Sequence, residues 1–309
     1  MIPDKSGTLP MASQTRKVYI GIALTVALSM AIVLLAPPPM VPGHSFVVDS
    51  QGEAVLSPPN LSTFPQLMID EANSLARETF GFSSQRQGEF ATELLATYQA
   101  AQDKDVVVFF NTGGFGWDDI SDTKEGQSFI DGIGSELSSL GLDPLLLNYK
   151  RTTGTINGGI SEVLLGAGFY PTKHEDLAVK VEFLTDHIPE IKVILIGISN
   201  GTIICDDVVN VSEDNRRLFS IQMGPPFWSD AASTERTLVL RSNGVIPDSF
   251  SQGDLVTILR ANMEALFGQN QQYPGDILIY IGAPGHDYMW QYTEVRDLIL
   301  NFLKDNFQP

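Results

Sequence analysis

The length and composition of the chain, 309 residues with 43% apolar side chains, suit one large or two small domains with a sizeable core. With 37 acidic against 19 basic residues, the formal net charge is -18 at pH 7, which disfavours nucleic acid and anionic lipid headgroups as partners. The single cysteine, Cys205, excludes an internal disulfide and a cysteine zinc site, and we expect it to be a buried structural residue.

The N-terminal part of the chain carries a candidate membrane segment. Residues 18–36 hold no charged side chain, and Arg16 and Lys17 stand directly before them. A helical span needs ~20 apolar residues, and the positive-inside rule makes residues 1–17 a cytoplasmic tail, with the remainder on the extracytoplasmic side. The run is longer than the roughly 7–15 apolar residues of a cleavable signal, and prolines follow it at 37–39. We therefore expect a transmembrane anchor at 18–36, or a secreted protein if this segment is a cleaved signal.

Residues 37–65 are rich in proline, serine and small polar residues, and this composition predicts a linker. From residue 66 to 309, helical and strand-like patterns alternate. The predicted helices are 67–80, 90–102, 128–141, 174–188, 201–209, 255–267 and 293–307. The predicted strands are 105–110, 143–150, 192–196, 218–223, 237–242 and 276–284. Continuous apolar strands separated by helices predict an α/β fold with a parallel sheet covered on both faces, whose ligands bind at the carboxyl ends of the strands.

The segment after the third predicted strand, Gly197–Gly201, has the pattern G-x-S-x-G with Ser199 at its centre. In this pattern the serine takes a strained conformation on a sharp strand-to-helix turn, and the glycines leave room for that turn. The pattern alone is common, but its place between an apolar strand and a helix favours Ser199 as a nucleophile over a bystander serine.

His286 follows the last predicted strand, at the same expected edge of the sheet as Ser199. A neutral imidazole can accept the proton of a serine hydroxyl and return it to the leaving group. Of the four histidines in the chain, the other three belong to the linker or to a predicted helix and its start. We therefore expect His286 to be the general base.

A glycine-rich turn, 111–117, follows the first predicted strand. Such a turn lets backbone N–H groups point at a developing oxyanion, and we expect the donors to come from Gly114, Phe115 and Asn200. A phosphate cradle is the alternative, but the lysine and spacing of a P-loop and the dinucleotide fingerprint are both missing.

The order of these segments resembles the α/β-hydrolase superfamily: a glycine-rich loop, then G-x-S-x-G, then an acid, then a late histidine. The resemblance covers about residues 105–309 and implies a mostly parallel sheet of eight strands with helices on both faces. Asn243 stands where relatives carry the acid. We therefore favour Asp248 as the acid, with Asp254 and Asn243 as alternatives.

The resemblance implies a serine esterase or lipase-like enzyme that cleaves a carboxylic ester through an acyl-enzyme. Trp117, Phe227 and Trp228 are the expected walls of an apolar pocket for a small-molecule ester or acyl substrate. Two alternatives remain open: an acyltransferase or thioesterase of the cell envelope, and a non-catalytic binding protein, which the asparagine at position 243 motivates. No metal-ligand spacing is evident, so no metal or cofactor is expected, and the sequence does not indicate an oligomeric state.

Overall fold

The computed structural model describes residues 44–49, 52–114, 116, 120–122, 126–151, 172–267, 275–278 and 281–308. The predicted cytoplasmic tail 1–17 and anchor 18–36 lie outside these ranges. None of the helices in the described ranges is both long and apolar enough to span a bilayer.

The strands form one large sheet and one small one. They are β1 (His44–Asp49), β2 (Gly52–Val55), β3 (Val106–Asn111), β4 (Pro144–Lys150), β5 (Lys192–Ile198), β6 (Leu218–Met223), β7 (Thr237–Leu240), β8 (Gly275–Leu278) and β9 (Ile281–Ala283). In the described residues the large sheet has seven strands in the order β2-β1-β4-β3-β5-β6-β7, and β8 pairs with β9 alone. Strands β4, β3, β5, β6 and β7 are parallel, whereas β1 is antiparallel to both of its neighbours.

Two expectations from the sequence are wrong. The expected eight-stranded sheet has seven strands in the described part, because the run at 276–284 forms the β8–β9 hairpin instead of joining it. A bulge between Asp276 and Leu278 and the proline at 284, which has no N–H to donate, limit this run to short strands. The expected linker 37–65 contains β1 and β2, which are short and occur among prolines and small polar residues.

Helices cover both faces of the large sheet, as expected for this α/β fold. They are α1 (Gln66–Phe80), α2 (Ser84–Ala101), α3 (Gly126–Ser139), α4 (Thr172–His187), α5 (Gly201–Val211), α6 (Leu255–Leu266) and α7 (Thr293–Phe307). Strand β3 shows the division, because its successive side chains point to opposite faces. Val106, Val108 and Phe110 pack with residues of α3 and α7, whereas Val107 and Phe109 pack with residues of α2, α4 and α5.

A buried ion network ties β1 to α2 and α4. The Nζ atom of the fully buried Lys180 lies 2.7 Å from Glu93 Oε1 and 3.2 Å from Asp176 Oδ1. Glu93 also accepts a 2.6 Å hydrogen bond from the N–H of Ser45, and its second oxygen lies 2.9 Å from His44 Nδ1. These contacts hold the start of β1 against the body of the domain.

Candidate active site

Ser199 lies on the turn between β5 and α5 with a φ of 52°, in the left-handed region that side chains rarely occupy. An added Cβ on Gly197 would lie 2.7 Å from Thr202 Cα, and one on Gly201 would lie 2.2 Å from the carbonyl oxygen of Asn111. Backbone therefore crowds both glycines, which explains the G-x-S-x-G pattern: only glycine allows the helix to approach the strand ends so closely.

His286 lies after β9 with its imidazole buried, and its Nε2 atom is 3.0 Å from Ser199 Oγ. Its loop packs directly on the segment that carries Asp248, since a Cβ on Gly285 would lie 2.2 Å from the carbonyl oxygen of Pro247. On another side, Gly275 at the start of β8 approaches the backbone of His286, where a Cβ would lie 2.4 Å from its carbonyl carbon. The short β8–β9 sheet thus supports the histidine loop.

Asp248 is fully buried, and its Oδ2 atom lies 2.9 Å from His286 Nδ1. The N–H groups of Phe250 and Ser251 donate to Oδ1, while the hydroxyls of Ser251 and Tyr288 donate to Oδ2 at 2.9 Å each. Burial favours the neutral acid, but the hydrogen bonds from His286, Ser251 and Tyr288 outweigh it and lower the pKa of Asp248. The carboxyl group is therefore held in its charged form.

The other two acid candidates have different contacts. The carboxamide of Asn243 accepts hydrogen bonds from two backbone N–H groups in the following turn and donates to Asp287 at 2.8 Å. Asp254 is exposed and caps the start of α6 by accepting a 3.0 Å hydrogen bond from the N–H of Thr257. The structure thus brings Asp248 to His286, while Asn243 and Asp254 stabilise local turns.

The glycine-rich loop after β3 lies against Ser199. A Cβ on Gly113 would lie 3.0 Å from Ser199 Cβ, and the side chain of Asn200 donates to the carbonyl oxygen of Gly114 at 3.2 Å. The N–H of Asn200 follows Ser199 at the start of α5, where helix N–H groups lack intrahelical partners. Gly114 and Asn200 therefore lie close to Ser199, while Phe115 lies outside the described residues.

A buried arginine contacts the glycine-rich loop after β3 through hydrogen bonds to its backbone. Arg151, which directly follows β4, donates from Nη1 to the carbonyl oxygen of Thr112 at 2.6 Å. Its N–H donates to the carbonyl oxygen of Gly116 at 2.9 Å, and the guanidinium occupies the space where a Gly116 side chain would stand. The sequence pattern gives no signal for this role, because the arginine lies far along the chain from the loop.

Aromatic residues flank the histidine. The ring centroid of Phe250 lies 5.0 Å from that of His286, and Trp228 packs on Phe250 at 5.5 Å. Phe227 in turn packs on Trp228 at 4.8 Å. Phe227 and Trp228 therefore lie near the site through Phe250, which the sequence analysis missed, while Trp117 lies outside the described residues.

The sequence analysis also missed Ser251 and Tyr288, whose hydroxyls donate to Asp248. Their spacing offered a weak signal: Ser251 comes three residues after Asp248, as in turns closed by an aspartate side chain, and Tyr288 comes two residues after His286. Within the described residues, no group of three or more His, Cys, Asp or Glu side chains is arranged to hold a metal ion.

Comparisons with known proteins give similarity at the level of solved structures. No family model and no curated protein sequence matches the chain. A Trichoderma reesei cutinase in complex with a C11Y4 phosphonate inhibitor is 15% identical over 58% of this chain and 77% of its own, with a TM-score of 0.34. An acetyl xylan esterase is 18% identical over 42% of this chain and 67% of its own, with a TM-score of 0.28.

Proposed function

We propose that this protein is a serine hydrolase that cleaves a carboxylic ester through an acyl-enzyme. The observation that carries the proposal is one continuous chain of contacts: Ser199 Oγ to His286 Nε2 at 3.0 Å, and His286 Nδ1 to Asp248 Oδ2 at 2.9 Å. A strained serine next to a base that a buried carboxylate orients is the arrangement that activates a serine hydroxyl.

The reaction would follow from the hydrogen-bond directions. Asp248 accepts a hydrogen bond from the N–H at Nδ1 of His286, which leaves Nε2 unprotonated and able to take the proton of Ser199 as its Oγ attacks the carbonyl carbon of the ester. The tetrahedral intermediate then collapses, and the alcohol leaves with the proton from Nε2. Water, deprotonated by the same imidazole, attacks the acyl-enzyme and releases the acid and the free serine.

The developing oxyanion needs donors fixed before the reaction starts. We propose the N–H of Asn200 as one donor, and N–H groups of Gly114 and Phe115 as the others. The contact of Asn200 with Gly114 at 3.2 Å and the buried Arg151 beneath the loop support this assignment, since both fix the loop relative to Ser199.

The lowered pKa of Asp248 favours catalysis over the non-catalytic alternative. That alternative was motivated by Asn243 at the position expected for an acid. Asp248 supplies a charged carboxylate 2.9 Å from His286, so Asn243 is no longer an argument against catalysis. The aromatic side chains of Phe250, Phe227 and Trp228 favour an apolar acyl or aromatic ester as substrate. We also propose that residues 18–36 anchor the enzyme in a membrane, with the catalytic domain on the extracytoplasmic side.

The test is covalent labelling of the full chain with a fluorophosphonate probe, which reacts with activated serines. We expect labelling of the parent protein, none of Ser199→Ala, and little or none of His286→Ala. Ser138→Ala, at an exposed serine of α3, is the matched control and should label like the parent. A folded parent, as judged by circular dichroism, that does not label would refute the proposal.

A further inference from the structure

Helix α6 carries an exposed apolar stripe. Leu255, Leu259, Met263 and Phe267 recur at every fourth position and are 61, 66, 45 and 75% exposed. Val256, beside the first of them, is 78% exposed. Residues four apart lie on one face of a helix, so these side chains form a continuous surface. A surface helix ordinarily turns such a stripe toward the core, with polar residues outside.

The opposite face of α6 is buried under the active site. Ile258 and Ala261 are each 8% exposed, and Ile258 belongs to the same small core as Phe250, the ring next to His286. One apolar face of α6 is therefore already packed against the domain. The packing of the domain does not explain why a second, exposed face is also apolar.

The stripe lies close to further exposed aromatic residues at the site. Phe227 and Trp228 are 46 and 50% exposed, and a Cβ on Gly253, two residues before α6, would lie 3.2 Å from the ring of Phe227. We call the whole surface the apolar rim; it consists of Phe227, Trp228, Leu255, Val256, Leu259, Met263 and Phe267. Contiguous apolar surfaces of this kind mark sites of interaction with proteins or membranes.

The short chain between the uncharged segment 18–36 and β1 favours a membrane as the occupant. His44, at the start of β1, pairs with Lys150, the last residue of β4, so the polypeptide enters the domain at the edge of the sheet that carries Ser199. Seven residues, 37–43, separate this point from the uncharged segment 18–36, and they reach at most ~25 Å when extended. A membrane anchor at 18–36 would thus keep this edge close to lipid.

The negative charge of the protein determines which bilayer surfaces it can approach without repulsion. Next to the stripe, α6 carries one exposed cation, Arg260, which is paired with Glu264 at 2.9 Å. With a net charge of -18 for the chain, an anionic bilayer would repel the domain. A zwitterionic surface offers the apolar rim a partner without this repulsion.

We propose that the apolar rim inserts into the interface of a zwitterionic phospholipid bilayer, so that the active site receives ester substrates directly from the lipid phase. The choice of substrate rests on the proposed hydrolase function, whereas the contact with lipid does not. Esters with long acyl chains partition into bilayers, and a site beside an inserted rim takes them without passage through water.

The lipid contact is tested with fluorescent labels on single cysteines. The native Cys205 is fully buried, and burial raises the pKa of its thiol, so maleimide labels should react at an introduced cysteine instead. We compare Leu259→Cys with Asp214→Cys, an exposed control before β6 at the opposite edge of the sheet. The full chain is reconstituted into phosphatidylcholine vesicles that contain spin-labelled lipid.

We expect the spin-labelled lipid to quench the label at 259 at least threefold more than the label at 214, also in a Ser199→Ala background. Equal quenching at both positions would overturn the proposal. Energy transfer between labels at 259 that grows with the protein-to-lipid ratio would also overturn it, because a second copy of the chain would then cover the rim.

The substrate is tested with Val256→Asp/Leu259→Asp. We expect hydrolysis of a long-chain ester embedded in vesicles to fall tenfold or more, while hydrolysis of a water-soluble short-chain ester and fluorophosphonate labelling stay unchanged. An equal fall on both esters, or no fall on either, would refute the substrate claim. If the parent cleaves no ester but the label at 259 is quenched, the hydrolase proposal fails and the lipid contact stands.

Discussion

The change Asp248→Asn tests the role of the buried carboxylate while it keeps the shape of the side chain. Five hydrogen-bond donors point at the two oxygens: two backbone N–H groups, the hydroxyls of Ser251 and Tyr288, and Nδ1 of His286. An amide has one accepting oxygen, so its NH₂ group must face donors on one side. Loss of the negative charge also removes the group that would stabilise the imidazolium.

The expected magnitude follows from the geometry of His286. If the amide NH₂ faces Nδ1, the ring must carry its proton on Nε2, and it can no longer accept the proton of Ser199 at 3.0 Å. The corresponding change in serine hydrolases with this triad costs roughly 10⁴-fold in kcat. At about 1.36 kcal/mol for each factor of ten, the loss is about 5.4 kcal/mol of transition-state stabilisation.

The assay is the kcat for a water-soluble ester, with circular dichroism to establish that each variant is folded. Asp254→Asn is the matched control, because Asp254 caps α6 and asparagine caps a helix about as well as aspartate. We expect its kcat to stay within about twofold of the parent. A folded Asp248→Asn protein that keeps more than a tenth of the parent kcat would refute the reasoning.

Three further predictions concern the environment of the site and the core. Gly224→Ala places a methyl group 2.8 to 2.9 Å from the rings of Tyr288 and His286 at a φ of +65°, so ester hydrolysis should fall at least tenfold. The control Gly141→Ala has open space at a φ of +84°. It should keep full activity and lose only about 1–2 kcal/mol of unfolding free energy. The hydrogen bond with Glu93 raises the pKa of His44. The stabilisation that this contact gives the folded state is therefore complete below the unfolded pKa of about 6.5 and disappears as the pH rises through the higher folded pKa. His44→Gln should lower the free energy of unfolding, measured in urea, more at pH 6 than at pH 9. The thiol of Cys205 should react with maleimide in urea and not in the native protein, and rapid native reaction would contradict its burial.

The positions of Ser199 and His286 could be predicted because local signals fix them. Each directly follows a strand-like run, and in a parallel sheet the carboxyl ends of the strands meet at one edge. The residue that contacts His286 was harder to predict, since Asn243, Asp248 and Asp254 lie within twelve residues of chain between the same two elements. Only the tertiary contact with the His286 loop separates them, and no local pattern encodes that contact.

The helices were predicted well because their apolar spacing is long and regular, while the short strands were not. Strands β1 and β2 have six and four residues and occur among prolines, so composition suggested a linker. Conversely, the apolar run at 276–284 suggested one strand of the large sheet, and a bulge and a proline divide and end it. Pairing between distant segments decided these elements, and it cannot be read from the runs themselves.

The position of β1 between β2 and β4 has a consequence for how the protein avoids aggregation. A fragment that began at residue 66, where the regular helical pattern starts, would lack both strands and leave one side of β4 unpaired. Such an edge strand exposes a row of N–H and C=O groups that can pair with another molecule. We expect that fragment to precipitate, whereas a fragment that begins at residue 41 retains the protecting strand. By pairing with β4, the six residues of β1 prevent that strand from pairing with another molecule and also extend the sheet.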